Sequence, residues 1–104
     1  MGVLVGRSAP DFTAAAVTGS GEIVDSFNLS EAIAGKKAVI FFYPLDFTFV
    51  CPSELIAFDH RYEEFQSRGV EVIGVSIDSQ FSHNAWRNTA INDGGIGPVR
   101  YTLV

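Results

Sequence analysis

A single cysteine, Cys51, stands in the stretch FFYPLDFTFVCP (residues 41–52), behind a dense apolar run and directly before Pro52. The thiolate form of cysteine is a nucleophile and can be oxidised, so its chemistry depends on what lowers its pKa. The run AVIFFY from Ala38 has the length of a buried strand, and Pro52 suits the first position of a helix. In an open α/β sheet the functional crevice lies at the carboxyl ends of the strands, where helix N-termini present unpaired N–H groups. Those groups favour negative charge. Helix-start cysteines reach pKa values of roughly 3.5–7.5, against about 8.5 for a free thiol. The residue also admits a plainer reading as a small buried hydrophobe, the commonest fate of free cysteine. On these grounds alone both readings stand.

The elements that must position Cys51 read as one α/β domain over residues 1–104. Residues 12–17 and 22–27 flank the turn-rich Thr18-Gly19-Ser20-Gly21 and predict a hairpin. Asn28 with Glu31 three residues on predicts a capped short helix, Ser30 to Ala34, that stops at Gly35. AVIFFY shows no alternation, which predicts a strand buried on both faces. From Ser53 to Arg68, Leu55, Phe58, Tyr62 and Phe65 line one face of a helix, with Gly69 at its exit. VEVIGVSI (70–77) is a second buried-type strand, so the region forms a βαβ unit with parallel pairing. A further helix, about Gln80 to Asn88, carries Phe81, Ala85 and Trp86. NDGGIGP then reads as a turn and VRYTLV as a third strand, which runs to Val104 with no polar tail. This pattern predicts a chain cut before the end of its sheet.

The whole-chain balance narrows the function classes. A formal net charge of −5 with scattered basic residues argues against nucleic acid or anionic membrane as partner. No segment supplies the roughly 20 apolar residues a membrane span needs, and the start lacks the long apolar core of a signal peptide. One cysteine cannot form an internal disulfide, so the expected address is the cytosol. Asn28-Leu29-Ser30 fits a glycosylation sequon, but the helix-cap reading takes precedence.

Pro44, Thr48 and Cys51 form P-x-x-x-T-x-x-C, and FFYPLDFTFVCPSE resembles the active-site segment of the peroxiredoxins, most closely the typical two-cysteine group. The resemblance extends along the chain through Gly6 with APDF (9–12), GVEVIGVSIDSQFSHNAW (69–86) and GGIGP (94–98). It implies a thioredoxin-like fold and a thiol peroxidase. Cys51 becomes the nucleophile that attacks hydrogen peroxide or an organic hydroperoxide and turns into a sulfenic acid. The Thr48 hydroxyl then serves the thiolate and bound peroxide, Pro44 shapes and shields the loop, and Glu54 positions an arginine. The resemblance implies no metal and no organic cofactor. As partners it implies thioredoxin or a dedicated flavoprotein reductase as electron donor, and a homodimer or ring of dimers. The glycine-rich segment corresponds to one associated in the family with slowed resolution and overoxidation, here with Ile96 in place of leucine; as a bare pattern it is a turn.

Other candidates take plainer readings. His83 falls to a subunit contact or a satisfied structural role, with Phe81 and Trp86 as core or interface aromatics. His60 reads as part of a solvated face, and Asp46 either orients the active-site loop or merely solvates it, the second being the preferred reading. Two parts of the family's machinery are missing from the sequence: its catalytic arginine and its resolving cysteine. None of Arg61, Arg68, Arg87 or Arg100 matches the arginine's motif. The expectation is therefore a weak peroxidase with an unpaired strand edge and an exposed apolar face. The alternative is an assembly or chaperone-like module built on the same half domain. A thioredoxin-type oxidoreductase is disfavoured, because position 48 is Thr where C-x-x-C needs the other cysteine.

Overall fold

Residues 4–47 and 52–104 are described by the computed structural model, Pro52 by its backbone alone. The turn residues 18–21 close the expected hairpin: the Gly21 amide donates to the Thr18 carbonyl at 2.9 Å. It joins β1 (Thr13–Val17) to β2 (Ile23–Asn28) in antiparallel register, Thr13 opposite Asn28 and Val17 opposite Ile23, with an irregularity between Ala14 and Ala16. The Asn28 side chain accepts from the Glu31 amide at 2.9 Å, so the predicted cap opens α1 (Leu29–Ala32), one residue earlier and shorter than expected.

The central unit is β3 (Lys37–Phe42), α2 (Pro52–His60), α3 (Tyr62–Ser67) and β4 (Val70–Val75). β3 and β4 pair in parallel from Lys37–Val70 to Phe42–Val75. One helix was expected from Ser53 to Arg68, and two are found. Arg100 Nη2 donates to the Asp59 carbonyl at 2.7 Å, the oxygen a continuous helix would offer to the Glu63 amide. The i→i−4 bonds resume at Phe65, which donates to Arg61 at 3.2 Å, so the apolar face continues across the break. Chain exit at Gly69 uses φ of +69°, as the helix-stop reading required.

After α4 (Gln80–Arg87), capped by Ser79, and a 3₁₀ turn at Ile91–Asp93, the chain enters β5 (Thr102–Leu103). The sheet order is β2-β1-β5-β4-β3. The VRYTLV segment thus gives a short strand in the middle of the sheet, parallel to β4 and antiparallel to β1. β4 is buried on both faces as predicted, with Val72 and Ile73 pointing into separate apolar clusters. β3 corrects the prediction. It is an outer strand, only half-buried along its length, and Phe42 is 77% exposed. An apolar run reports what its side chains prefer, whereas strand order decides how much of that preference is met.

The two faces are covered unequally. On one, Leu55, Val72, Trp86, Ile96, Val99, Tyr101 and Leu103 form a core under the α2 and α3 aromatics. On the other, α1 and the N-terminal segment leave an apolar groove of about 600 Å³ that includes Phe12, Ile40, Phe42 and Val104.

Candidate active site

The end of β3 delivers the site. Tyr43 continues the ladder by donating its amide to the Val75 carbonyl at 3.0 Å, and its ring turns inward. Pro44 follows and is exposed. Asp46 then turns back into the protein and is almost fully buried. Its Oδ1 accepts from the Tyr43 hydroxyl at 2.8 Å, and its Oδ2 lies 2.6 Å from His83 Nδ1 on α4. Its backbone amide donates to Asp78 Oδ2 at 2.9 Å. Three bonds therefore tie one loop residue to its own strand, to α4 and to the turn before α4. This overturns the reading of Asp46 as a solvating residue, since a carboxylate is buried only where donors satisfy it.

Phe47, the next residue, has φ of 59°. For a bulky side chain this left-handed backbone costs about 1–2 kcal/mol, and it persists only where surrounding contacts enforce it. Those contacts are the Asp46 bonds and the Phe47 ring, whose centroid lies 5.9 Å from that of Trp86. Trp86 in turn packs 6.0 Å from the Tyr43 ring and donates Nε1 to the Gly94 carbonyl at 3.1 Å. Burial, helped by the Asp46 carboxylate, pushes the Tyr43 hydroxyl well above its ordinary pKa, so it acts as a fixed donor.

Thr48 and Cys51, the expected peroxide-binding hydroxyl and nucleophile, lie outside the described residues. Beyond them α2 begins at Pro52, as the sequence predicted. Glu54 sits in the first turn of α2, exposed, beside a shallow apolar recess formed with Ala57, Phe58, Arg61 and Phe65. Three of the arginines have partners among the described residues: Arg61 with Glu64, Arg87 with the Gly19 and Val99 carbonyls, and Arg100 with Asp59 and Glu63. Of the three residues expected at a subunit contact, His83 and Trp86 are fully buried within the chain. Their surfaces are already used, by Asp46 and by the core, which leaves Phe81, at 66% exposure, alone at the surface. Among the described residues, no three His, Cys, Asp or Glu side chains are grouped so as to hold a metal.

Residues 5–103, strand ladder and loop included, match the AhpC/TSA family. The chain belongs to that family. It is 52% identical over 102 residues to alkyl hydroperoxide reductase C of Helicobacter pylori (strain ATCC 700392 / 26695), covering 98% of this chain and 52% of the relative. It is 53% identical over 100 residues to peroxiredoxin-2 of Mus musculus, covering 96% and 49%. The crystal structure of reduced Plasmodium vivax 2-Cys peroxiredoxin superposes with a TM-score of 0.91 at 46% identity, over 99% of this chain and 53% of that one. This AhpC/TSA chain has the mixed sheet and helices of the thioredoxin-like peroxiredoxin fold, and it spans about half the length of the curated relatives it matches.

The Tyr43–Asp46–His83 cluster escaped the reading of this AhpC/TSA sequence. Its signal was weak: an Asp three residues after a strand-end Tyr, and a lone His on a helix face shared with Trp86 and Arg87, at a separation of 37 residues from the Asp.

Proposed function

We propose that this chain carries the peroxide-reacting half of a thiol peroxidase, with Cys51 as nucleophile. The observation that carries the reading is family membership over residues 5–103, with the P-x-x-x-T-x-x-C pattern of Pro44, Thr48 and Cys51 intact in the sequence. The Cys51 thiolate attacks one oxygen of the hydroperoxide. An S–O bond forms, the O–O bond breaks, and the departing oxygen takes a proton to leave as water or an alcohol. Sulfur loses two electrons and becomes a sulfenic acid, while the peroxide is reduced. One external thiol then condenses with the sulfenic acid, releasing water and giving a disulfide, and a second thiol reduces that disulfide. The chain has one cysteine, so both thiols come from outside it; a thioredoxin or a flavoprotein reductase is the proposed donor, in a reducing compartment such as the cytosol. Trapping the sulfenic acid with dimedone after one equivalent of hydrogen peroxide tests the reading. Wild-type chain should label at Cys51, Cys51→Ser should not, and Thr48→Val should label at least about tenfold more slowly, as expected for loss of one hydrogen bond to a charged group. An unlabelled wild type, with a Cys51 no faster than a free thiol, sinks the proposal.

A second reading, an assembly module, is favoured by the exposure of Phe42, Ile77 and Phe81. It predicts a defined oligomer in sedimentation velocity that Phe81→Ser dissociates without loss of fold. A monomer at all concentrations tested rules it out.

A further inference from the structure

We propose that Asp46 and His83 are positioning residues for the loop that leads to Thr48 and Cys51, with the His83 Nδ1–H donor as the effective contact. The proposal rests on the reading of Cys51 as the reacting thiol, but it makes a separate physical claim.

Three observations support it. Asp46 stands two residues before Thr48 and five before Cys51 in sequence, and it is fastened from three sides by Tyr43, His83 and Asp78. Between Asp46 and Thr48, Phe47 holds a left-handed backbone, which needs such fastening to persist. The third is the state of the His83 ring. It is fully buried, its Nδ1 donates to Asp46, and its Nε2 has no hydrogen-bond partner among the described residues. Nε2 thus lies buried as an unpaired polar atom, a cost that an apolar side chain at this site would avoid. What the imidazole supplies against that cost is its Nδ1 bond to Asp46. That bond joins the loop to α4, the helix that also presents Trp86 to Tyr43 and Phe47. The cluster fixes both the position of the loop and the direction in which the chain leaves it.

A substitution series separates the Nδ1 donor from mere filling of space. His83→Asn places an amide N–H where Nδ1–H stood, His83→Phe fills the volume without a donor, and Asp46→Ala removes the acceptor. Tyr43→Phe removes the hydroxyl's bond to Asp46 and its 3.3 Å contact with His83 Nδ1, and keeps the ring. Two readouts apply to the whole chain. The first is native-state chymotryptic cleavage after Phe47 and Phe49, referenced to cleavage after Phe65. It should rise at least tenfold in His83→Phe and Asp46→Ala, about threefold in Tyr43→Phe, and stay within twofold of wild type in His83→Asn. The second is the Cys51 rate with hydrogen peroxide relative to its rate with iodoacetamide. That ratio should fall at least tenfold in His83→Phe and recover in His83→Asn, because alkylation needs an accessible thiolate but not an aligned pocket.

Cleavage unchanged in His83→Phe, or His83→Asn behaving as His83→Phe, overturns the proposal. If Asp46→Ala fails to fold, the His83 pair and Tyr43→Phe decide the question through the same readouts. A wild-type Cys51 no faster with peroxide than a free thiol defeats the proposed function alone, and the cleavage series still judges the positioning claim.

Discussion

At the scale of single residues, the site region depends on polar side chains that are buried and paired. Tyr43 shows the consequence for pH. Its hydroxyl is held protonated in the fold by burial and by the neighbouring Asp46 carboxylate, and Tyr101, whose hydroxyl donates to the Leu55 carbonyl at 2.6 Å, is held likewise by burial. The folded pKa of each lies above the unfolded value of about 10, so above that pH the unfolded chain loses protons that the fold retains. Their contribution to stability is therefore complete below about pH 10 and declines as pH rises beyond it. Urea midpoints measured between pH 8 and 11 should fall along this limb. Tyr43→Phe should make the fall shallower while lowering the midpoint at pH 8, and an unchanged slope would contradict the burial argument.

At the scale of elements, close approach of backbones matters more than propensity. The glycine-rich stretch after α4 is a tight turn that folds Ile96 into the core beneath Trp86. Gly95 lies against Thr89 so closely that a Cβ built on it would overlap the Thr89 carbonyl, a backbone atom that cannot swing aside. Gly95→Ala should therefore cost about 1–3 kcal/mol or more, read as a lower urea midpoint with an unchanged slope. A midpoint within a few tenths of wild type would mean the turn yields easily. The break between α2 and α3 belongs to the same scale. Arg100, 41 residues beyond Asp59, reaches back to take a helix carbonyl, and its guanidinium also sits 5.4 Å above the Tyr62 ring.

At the scale of the whole molecule, the sheet is well covered on one face and thinly on the other. The groove along Phe12, Ile40, Phe42 and Val104 is apolar, and β3 is an outer strand that exposes Phe42. Such surface draws in apolar dyes and other chains. The chain should bind anilinonaphthalene sulfonate at neutral pH and scatter light on warming at high concentration. Phe42→Lys should reduce both, because a charge on an outer strand opposes edge-to-edge association. Equal dye binding and scattering in the variant would show that the groove lies closed in solution.

Much of this was legible in the residues themselves. The hairpin, the Asn28 cap, the parallel β3–β4 pair and the helix opened by Pro52 each rest on local signals: turn composition, capping geometry, apolar periodicity. The family pattern around Pro44, Thr48 and Cys51 was equally visible, since it is a matter of residue types at fixed spacing. Strand order was not. Nothing in VRYTLV says that it enters the centre of the sheet, or in AVIFFY that it lies at the edge, because pairing depends on chain segments far apart in sequence. For the same reason Asp46 read as a solvated loop carboxylate until the fold brought His83 and Asp78 to it. The sequence alone determined which residues could do chemistry and the local elements around them; only the tertiary structure decided which polar groups meet inside, because burial and hydrogen bonding between distant segments are set by packing.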